Sequence, residues 1–263
     1  MGIRHDAPER DGARRCIRIA TAGDIHCGRA AACEHLPGAV AALAERVDCF
    51  LLAGDLTTHG EPEQGAILAE AFSGVDLPIL TVLGNHDWHV DRRDELVAVL
   101  EEAGMTVLEG GRHQILDVCG VELGVVGAKG FVGGFPGSHL PDFGEPLLRE
   151  VYAESMRDAH GIDAGLHAVA ACPLRIVLLH YAPCTDTLIG EPEPIWTFLG
   201  TDRLAPPIIE HEPDLVLHGH AHSGTFEGRV GGVPVFNVSV PVLGRDFWEL
   251  ELTVPDRAAS AIH

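Results

Sequence analysis

Along this chain, short continuous apolar runs are each stopped by a glycine and a polar cluster. CIRIATAG (Cys16 to Gly23), VDCFLLAG (Val47 to Gly54) and the run from Pro78 to Leu83 are such segments. They predict buried strands. Helical spacing appears between them, around Gly38 to Val47, from Pro62 to Phe72, and from Asp91 to Ala103, where Leu96, Val99 and Leu100 share a face. RHQILDV, then Cys-Gly, then VELGVVGA predicts an antiparallel hairpin. GFVGGFPGSHLPDFGEP (Gly130 to Pro146) predicts a loop, and a helix is expected from about Leu147 to Ala159. PLRIVLLH (Pro173 to His180) and DLVLHGHAH (Asp214 to His222) repeat the pattern of a strand ending in polar residues. VPVFNVSV and FWELELTV predict closing strands.

The strand–helix–strand rhythm predicts an α/β fold with a largely parallel sheet. The first three polar clusters begin at Asp24, Asp55 and Asn85, spaced roughly 30 residues, about one βαβ unit each. Ligands of such sheets collect at the carboxyl ends of the strands, so these clusters are expected on one edge. We find no internal repeat and no linker. The expected organisation is a loose charged tail over 1–15, then a single domain over 16–263 with a cap-like loop near 130–143.

Five strand ends carry the candidate chemistry. They are GDIH (Gly23 to His26), GDLTTHG (Gly54 to Gly60), GNHD (Gly84 to Asp87), LLHYAP (Leu178 to Pro183) and GHAH (Gly219 to His222). A lone Gly-Asp after a strand is usually a turn, and a lone strand-end His is usually a hydrogen-bonded rim residue. Five together supply carboxylate, amide and imidazole donors without thiolate. That set suits Mn²⁺, Fe²⁺, Co²⁺ or Zn²⁺. Asp55, between the others along the edge, is placed to bridge two ions.

Charge narrows the partners. The formal net charge is −21, from 39 acidic and 18 basic residues. A chain this acidic repels long nucleic acid and anionic membrane surfaces, so neither is expected as a partner. An anionic substrate then requires local positive charge. Seven Cys without a CxxC pair suggest no disulfide framework. The cluster His26, Cys27, Cys33, His35 matches no zinc-finger spacing. The first residues lack the apolar segment of a signal peptide, and no apolar run reaches the roughly 20 residues of a membrane span. The cytoplasm is the expected location.

The ordered set D-x-H, G-D, G-N-H-D, a lone strand-end H and G-H-x-H resembles that of the calcineurin-like metallophosphoesterases, over about Cys16 to Val254. The resemblance implies a four-layer α-β-β-α sandwich of two facing mixed sheets, with a dinuclear metal site at the carboxyl ends of the strands. By motif, Asp24, His26 and His222 would hold the first divalent ion, and Asn85, His180 and His220 the second. Asp55 would bridge them. The implied ions are Mn²⁺, Fe²⁺/Fe³⁺ or Zn²⁺. A metal-bridging hydroxide would attack phosphorus, and His86 would protonate the leaving oxygen. Asn85 would also face the substrate. Asp87 would orient the His86 imidazole and raise its pKa.

Branch-specific positions refine the expectation. Protein phosphatases of this family carry an Arg after the bridging Asp, where this chain has His59, and G-N-H-E where it has GNHD. Purple acid phosphatases place a Tyr ligand where this chain has Thr58. GDLTTHGEPEQ resembles the bacterial cyclic-nucleotide and glycerophosphodiesterase branch. A small-molecule phosphodiesterase is therefore expected, with His59 as either a phosphate contact or an exposed loop residue. A phosphomonoesterase or nuclease of the same family is the alternative. The non-enzyme alternative is a catalytically silent scaffold, which would typically lack ligands that are all present here. A homodimer is allowed. Phe131 and Phe135 would stack on a substrate or anchor the loop. Lys129, the only lysine, and Tyr181 are candidates for supporting roles.

Overall fold

A computed structural model of the protein describes residues 16–254. The tail expected over 1–15 lies outside the described residues. Eleven strands are present among them: β1 (Cys16–Ala22), β2 (Cys49–Ala53), β3 (Ile79–Val82), β4 (Met105–Val107), β5 (Arg112–Val118), β6 (Val121–Ala128), β7 (Leu174–Leu179), β8 (Leu215–His218), β9 (Glu227–Val230), β10 (Val233–Asn237) and β11 (Trp248–Thr253). The helices are α1 (Ala30–Cys33), α2 (Leu36–Ala44), α3 (Pro62–Ala71), α4 (Arg93–Glu102), α5 (Pro146–Ala168), α6 (Trp196–Leu199), α7 (Ala205–His211) and α8 (Val240–Leu243).

The strands form two mixed sheets, ordered β11-β1-β2-β3-β4 and β5-β6-β7-β8-β10-β9. Strands β1 to β4 run parallel to their neighbours, and β11 closes that sheet antiparallel to β1. In the second sheet β6, β7, β8 and β10 are parallel, with β5 and β9 antiparallel at the edges. The sheets face each other across Ile19, Leu51, Leu80, Val125, Ile176 and Leu217. Helices α2 to α4 cover the outer face of the first sheet through Val40, Leu68 and Leu96 on Phe50 and Leu52. Helices α5 and α7 cover the second through Ile162, Leu166 and Ile208 on Val126, Val177 and Val216. This is the expected α-β-β-α layering. Central strands buried on both faces explain the continuous apolar runs.

Two features depart from the sequence expectation, and a third decides between two of its alternatives. Helix α5 runs to Ala168 rather than stopping near Ala159. Gly161 and Gly165 lie against the Gly110–Gly111 turn, where a side chain would collide with backbone. The glycines trade helix propensity for close approach. Second, Cys27 and Cys33 form a disulfide just after His26. It is the only one among the described residues, and it excludes their pairing with His35 around zinc. Third, Phe135 is 3% exposed and packs with Ala182, Leu188 and Leu199, so it anchors the loop rather than facing a ligand. No helix among the described residues is long and apolar enough to cross a membrane.

Candidate metal centre

Parallel strands bring their carboxyl ends to one edge, and here two sheets do so against each other. Asp24 and His26 follow β1, Asp55 follows β2, and Asn85 and His86 follow β3. His180 follows β7, and His220 and His222 follow β8. The turns are sharp. Asp24, His26, Asp55 and His220 have φ of 59°, 49°, 48° and 70°. Non-glycine residues seldom occupy that region, and such strain gathers at functional sites. Two of the motif glycines have a spatial reason. A side chain at Gly84 would strike the Asp55 carboxylate and backbone, and one at Gly219 would strike the Asp24 carboxylate.

The side chains gather into two groups. Donor atoms of Asp24, His26, Asp55 and His222 lie within 4.8 Å of one another, as do those of Asp55, His180 and His220. Asp55 belongs to both. Asn85 Oδ1 is 3.0 Å from His180 Nε2, which places the amide beside the second group. All seven sequence-predicted ligands are therefore brought together, divided as the motifs imply.

Backbone carbonyls aim the imidazoles. His180 Nδ1 is 2.8 Å from the Ala53 carbonyl, across the sheet interface. His220 Nε2 is 3.1 Å from the Phe198 carbonyl. A carbonyl only accepts, so these nitrogens carry hydrogen and the opposite ones keep a lone pair for the centre. Burial, followed by the neighbouring His180, pushes His220 down to about 3. Burial also lowers His26. Asp24 is pushed up by burial, but the bond from His222 Nε2 at 2.8 Å and adjacent imidazoles outweigh this and hold it low. That same bond raises His222. Neutral rings at His26 and His220 beside an ionised Asp24 are protonation states that metal ligation needs. The donor set and its grouping fit two divalent ions.

His86 stands at the rim. Its Nε2 is 3.9 Å from Asp55 Oδ2, and its ring lies 4.6 Å from that of His26. The expected orienting role of Asp87 is corrected by the structure. The fully buried Asp87 carboxylate accepts from Leu56 N, Thr57 N, Thr57 Oγ1 and Gly84 N at 2.7–3.1 Å. It fastens the Asp55 turn to the Asn85 turn. The partner of His86 Nδ1 is the Thr58 carbonyl, at 2.8 Å. Backbone amides compete for Asp87, and no sequence pattern shows a carbonyl partner.

His59 is exposed, its backbone N–H held by Gln64 at 2.9 Å. With His26, Gly28, Arg29 and Gln64 it lines an open cleft of about 500 Å³. His89, which the motif reading passes over, stacks against His59 at 6.2 Å and lies 4.3 Å from His86. Tyr181 is buried with its ring 4.3 Å from His220. His218, by contrast, turns into the core and bonds Thr187 Oγ1 at 2.8 Å.

The family model for calcineurin-like phosphoesterases matches residues 17–224, spanning every motif above. The chain belongs to that family. It is a metal-dependent phosphoric ester hydrolase. Sequence comparison with curated proteins finds no match. Among solved structures, the phosphoesterase is similar to TT1561 of Thermus thermophilus, with 19% identity, TM-score 0.60, and coverage of 92% of this chain and 100% of that one. It is also similar to a phosphopantetheinyl hydrolase from Mycobacterium tuberculosis, with 16% identity, TM-score 0.57, and coverage of 92% and 97%. A purple acid phosphatase from yellow lupin seeds shares 15% identity over 86% of this chain and 44% of its own, with TM-score 0.52. At these identities the likeness is one of fold.

Proposed function

We propose that the phosphoesterase hydrolyses a small phosphodiester. The observation that carries this reading is His59. It stands where related protein phosphatases carry a phosphate-gripping Arg, at the mouth of the open cleft beside His26. A phosphodiester carries one negative charge and two ester arms. It needs less local positive charge than a monoester dianion, and more room.

In this reading Asp24, His26 and His222 hold one divalent ion, Asn85, His180 and His220 the other, and Asp55 both. Bound there, the ions supply positive charge for the phosphoryl oxygens and lower the pKa of water to the neutral range. Asn85 brings oxygen without charge, which leaves that positive charge available to the substrate. His86 supplies the leaving-group proton. The Thr58 carbonyl keeps hydrogen on Nδ1, so the proton that moves is on Nε2, the nitrogen facing the centre. Asp87 holds the two turns at their spacing.

The test is hydrolysis of bis-p-nitrophenyl phosphate against p-nitrophenyl phosphate, by chelated protein and after Mn²⁺ is restored. Metal-dependent preference for the diester is expected. Preference for the monoester overturns the reading.

A further inference from the structure

The Nδ1 of His86 meets a backbone carbonyl, that of Thr58 at 2.8 Å, and no carboxylate of the described residues. One hydrogen bond fixes one ring atom. The tilt of the ring about that bond is left to whatever packs on its faces. A third of the His86 side chain (33%) is open to solvent, which offers no fixed surface. His26 meets the ring edge-on, with centroids 4.6 Å apart and planes at 76°. A second surface is needed to hold the tilt.

The turn that carries His86 supplies it. Residues His86–Trp88 form one turn of 3₁₀ helix, and His89 ends it, its N–H bonding the His86 carbonyl at 3.2 Å. Side chains at i and i+3 eclipse each other in that geometry. The His89 ring accordingly lies 4.3 Å from the His86 ring, tilted by 39°. It runs nearly parallel to His59 as well, at 25° and 6.2 Å. Asp87, between the two histidines, is fully buried and accepts four hydrogen bonds, so the base of the turn is pinned. His89 is exposed, and among the described residues its side chain makes no hydrogen bond or ion pair. Its ring contacts are the imidazoles of His86 and His59.

We propose that His89 is a positioning residue for the leaving-group acid: its ring packs on His86 and fixes the tilt at which Nε2 meets the departing oxygen. This rests on the reading of His86 as that acid and deepens it. Desolvation and the neighbouring His86 lower the His89 pKa. The ring that packs is therefore neutral near pH 7 and does not repel His86 when His86 carries its proton. The shape of the ring matters here, not its nitrogens. Proton transfer works over hydrogen-bond distance, about 2.6–3.2 Å between heavy atoms, so a swung ring loses it. A leaving group that departs without a proton is much less sensitive to the tilt.

The test is hydrolysis by Mn²⁺-loaded protein of diethyl phosphate, whose ethoxide needs a proton, and of bis-p-nitrophenyl phosphate, whose nitrophenolate does not. Metal content and denaturation midpoint are measured on every variant first. His89→Ala is expected to lower kcat on diethyl phosphate about tenfold, with KM within about twofold, and to lower it clearly less on the nitrophenyl ester. His89→Phe keeps a flat ring and should recover most of the loss. In a His86→Ala background, His89→Ala should add less than about twofold, because no acid ring remains to be held. Equal losses on the two substrates, the full loss again in the His86→Ala background, or no recovery in His89→Phe overturns the proposal. If His89→Ala loses its metal or its folded state, His89 supports the site as a whole and the proposal is also overturned. His86→Ala alone separates the two readings. Equal loss on both substrates there removes the acid itself, whereas a selective loss there without one in His89→Ala removes only the positioning role.

Discussion

The two sheet edges that meet at the metal centre build their halves of it differently. The first sheet contributes one imidazole, His26, and three oxygen donors set by backbone shape, Asp24, Asp55 and Asn85. Asp24 and Asp55 are buried, take positive φ, and lie against glycines that leave no room for a side chain. The second sheet contributes His180, His220 and His222, nitrogen donors set by hydrogen bonds from outside their own turns. Their partners are the Ala53 carbonyl across the interface, the Phe198 carbonyl from a separate segment, and the Asp24 carboxylate. One half is a rigid cradle of negative charge. The other is a set of imidazole rings whose direction depends on neighbours. Changes to the first edge should therefore remove the site, and changes around the second should tune it.

The sharpest break is Asp55→Ala. Both donor groups share Asp55, so its loss should empty both positions rather than one. Metal content by elemental analysis should fall to background, and diester hydrolysis by about three orders of magnitude or more. Retention of one ion per chain would mean that the two groups are independent. His86→Ala comes next. Metal content should be kept while turnover falls about 10²- to 10⁴-fold for alkoxide leaving groups. Nitrophenolate, which leaves without a proton, should lose much less. Equal losses for the two classes would remove His86 as the acid.

The same contrast governs what was legible in the sequence. First-edge donors sit in βαβ units, where a buried strand, a glycine and a carboxylate follow in order, so Asp24, Asp55 and Asn85 stand out as text. The imidazoles are equally visible as residues, but their partners are not. The Phe198 and Thr58 carbonyls are backbone atoms distant in sequence, and any residue type would supply them. Asp87 shows the hazard of adjacency. It neighbours His86 in the chain, yet its carboxylate is taken by three donors on the Asp55 turn and by Gly84 N of its own turn. Strand β4 has three residues after Gly104, too few to show periodicity. Helix α5 runs on past Ala159 through Gly161 and Gly165, poor helix formers whose place is explained only by the Gly110–Gly111 turn that they admit.

Asp87 provides the next test, because an orienting carboxylate and a strut predict different losses. Asp87→Asn sets an amide nitrogen against backbone N–H donors in a fully buried site. As a strut it should cost about 3 kcal/mol in chemical denaturation. The leaving-group dependence should remain that of wild type in whatever fraction folds. A stable variant with a flattened leaving-group dependence would restore the orienting role.

The smallest effect separates His218 from the ligand histidines beside it. It is fully buried, and burial pushes it down to about 4 from an ordinary value near 6.5. The unfolded chain therefore binds more protons than the folded one between those values, and the contribution to stability is lost as pH falls through that window. His220 behaves similarly but remains in both proteins under comparison, so the difference between wild type and His218→Gln isolates His218. In metal-free protein, to avoid linkage to ligation, the variant should start less stable at pH 7, having lost a fitted core side chain. The gap should then narrow by on the order of 2 kcal/mol by pH 5, because Gln does not titrate. A gap that stays constant with pH would mean that His218 is protonated in the fold despite its burial. The first histidine of HGHAH would then share the charge balance of the second edge instead of serving as neutral packing beneath it.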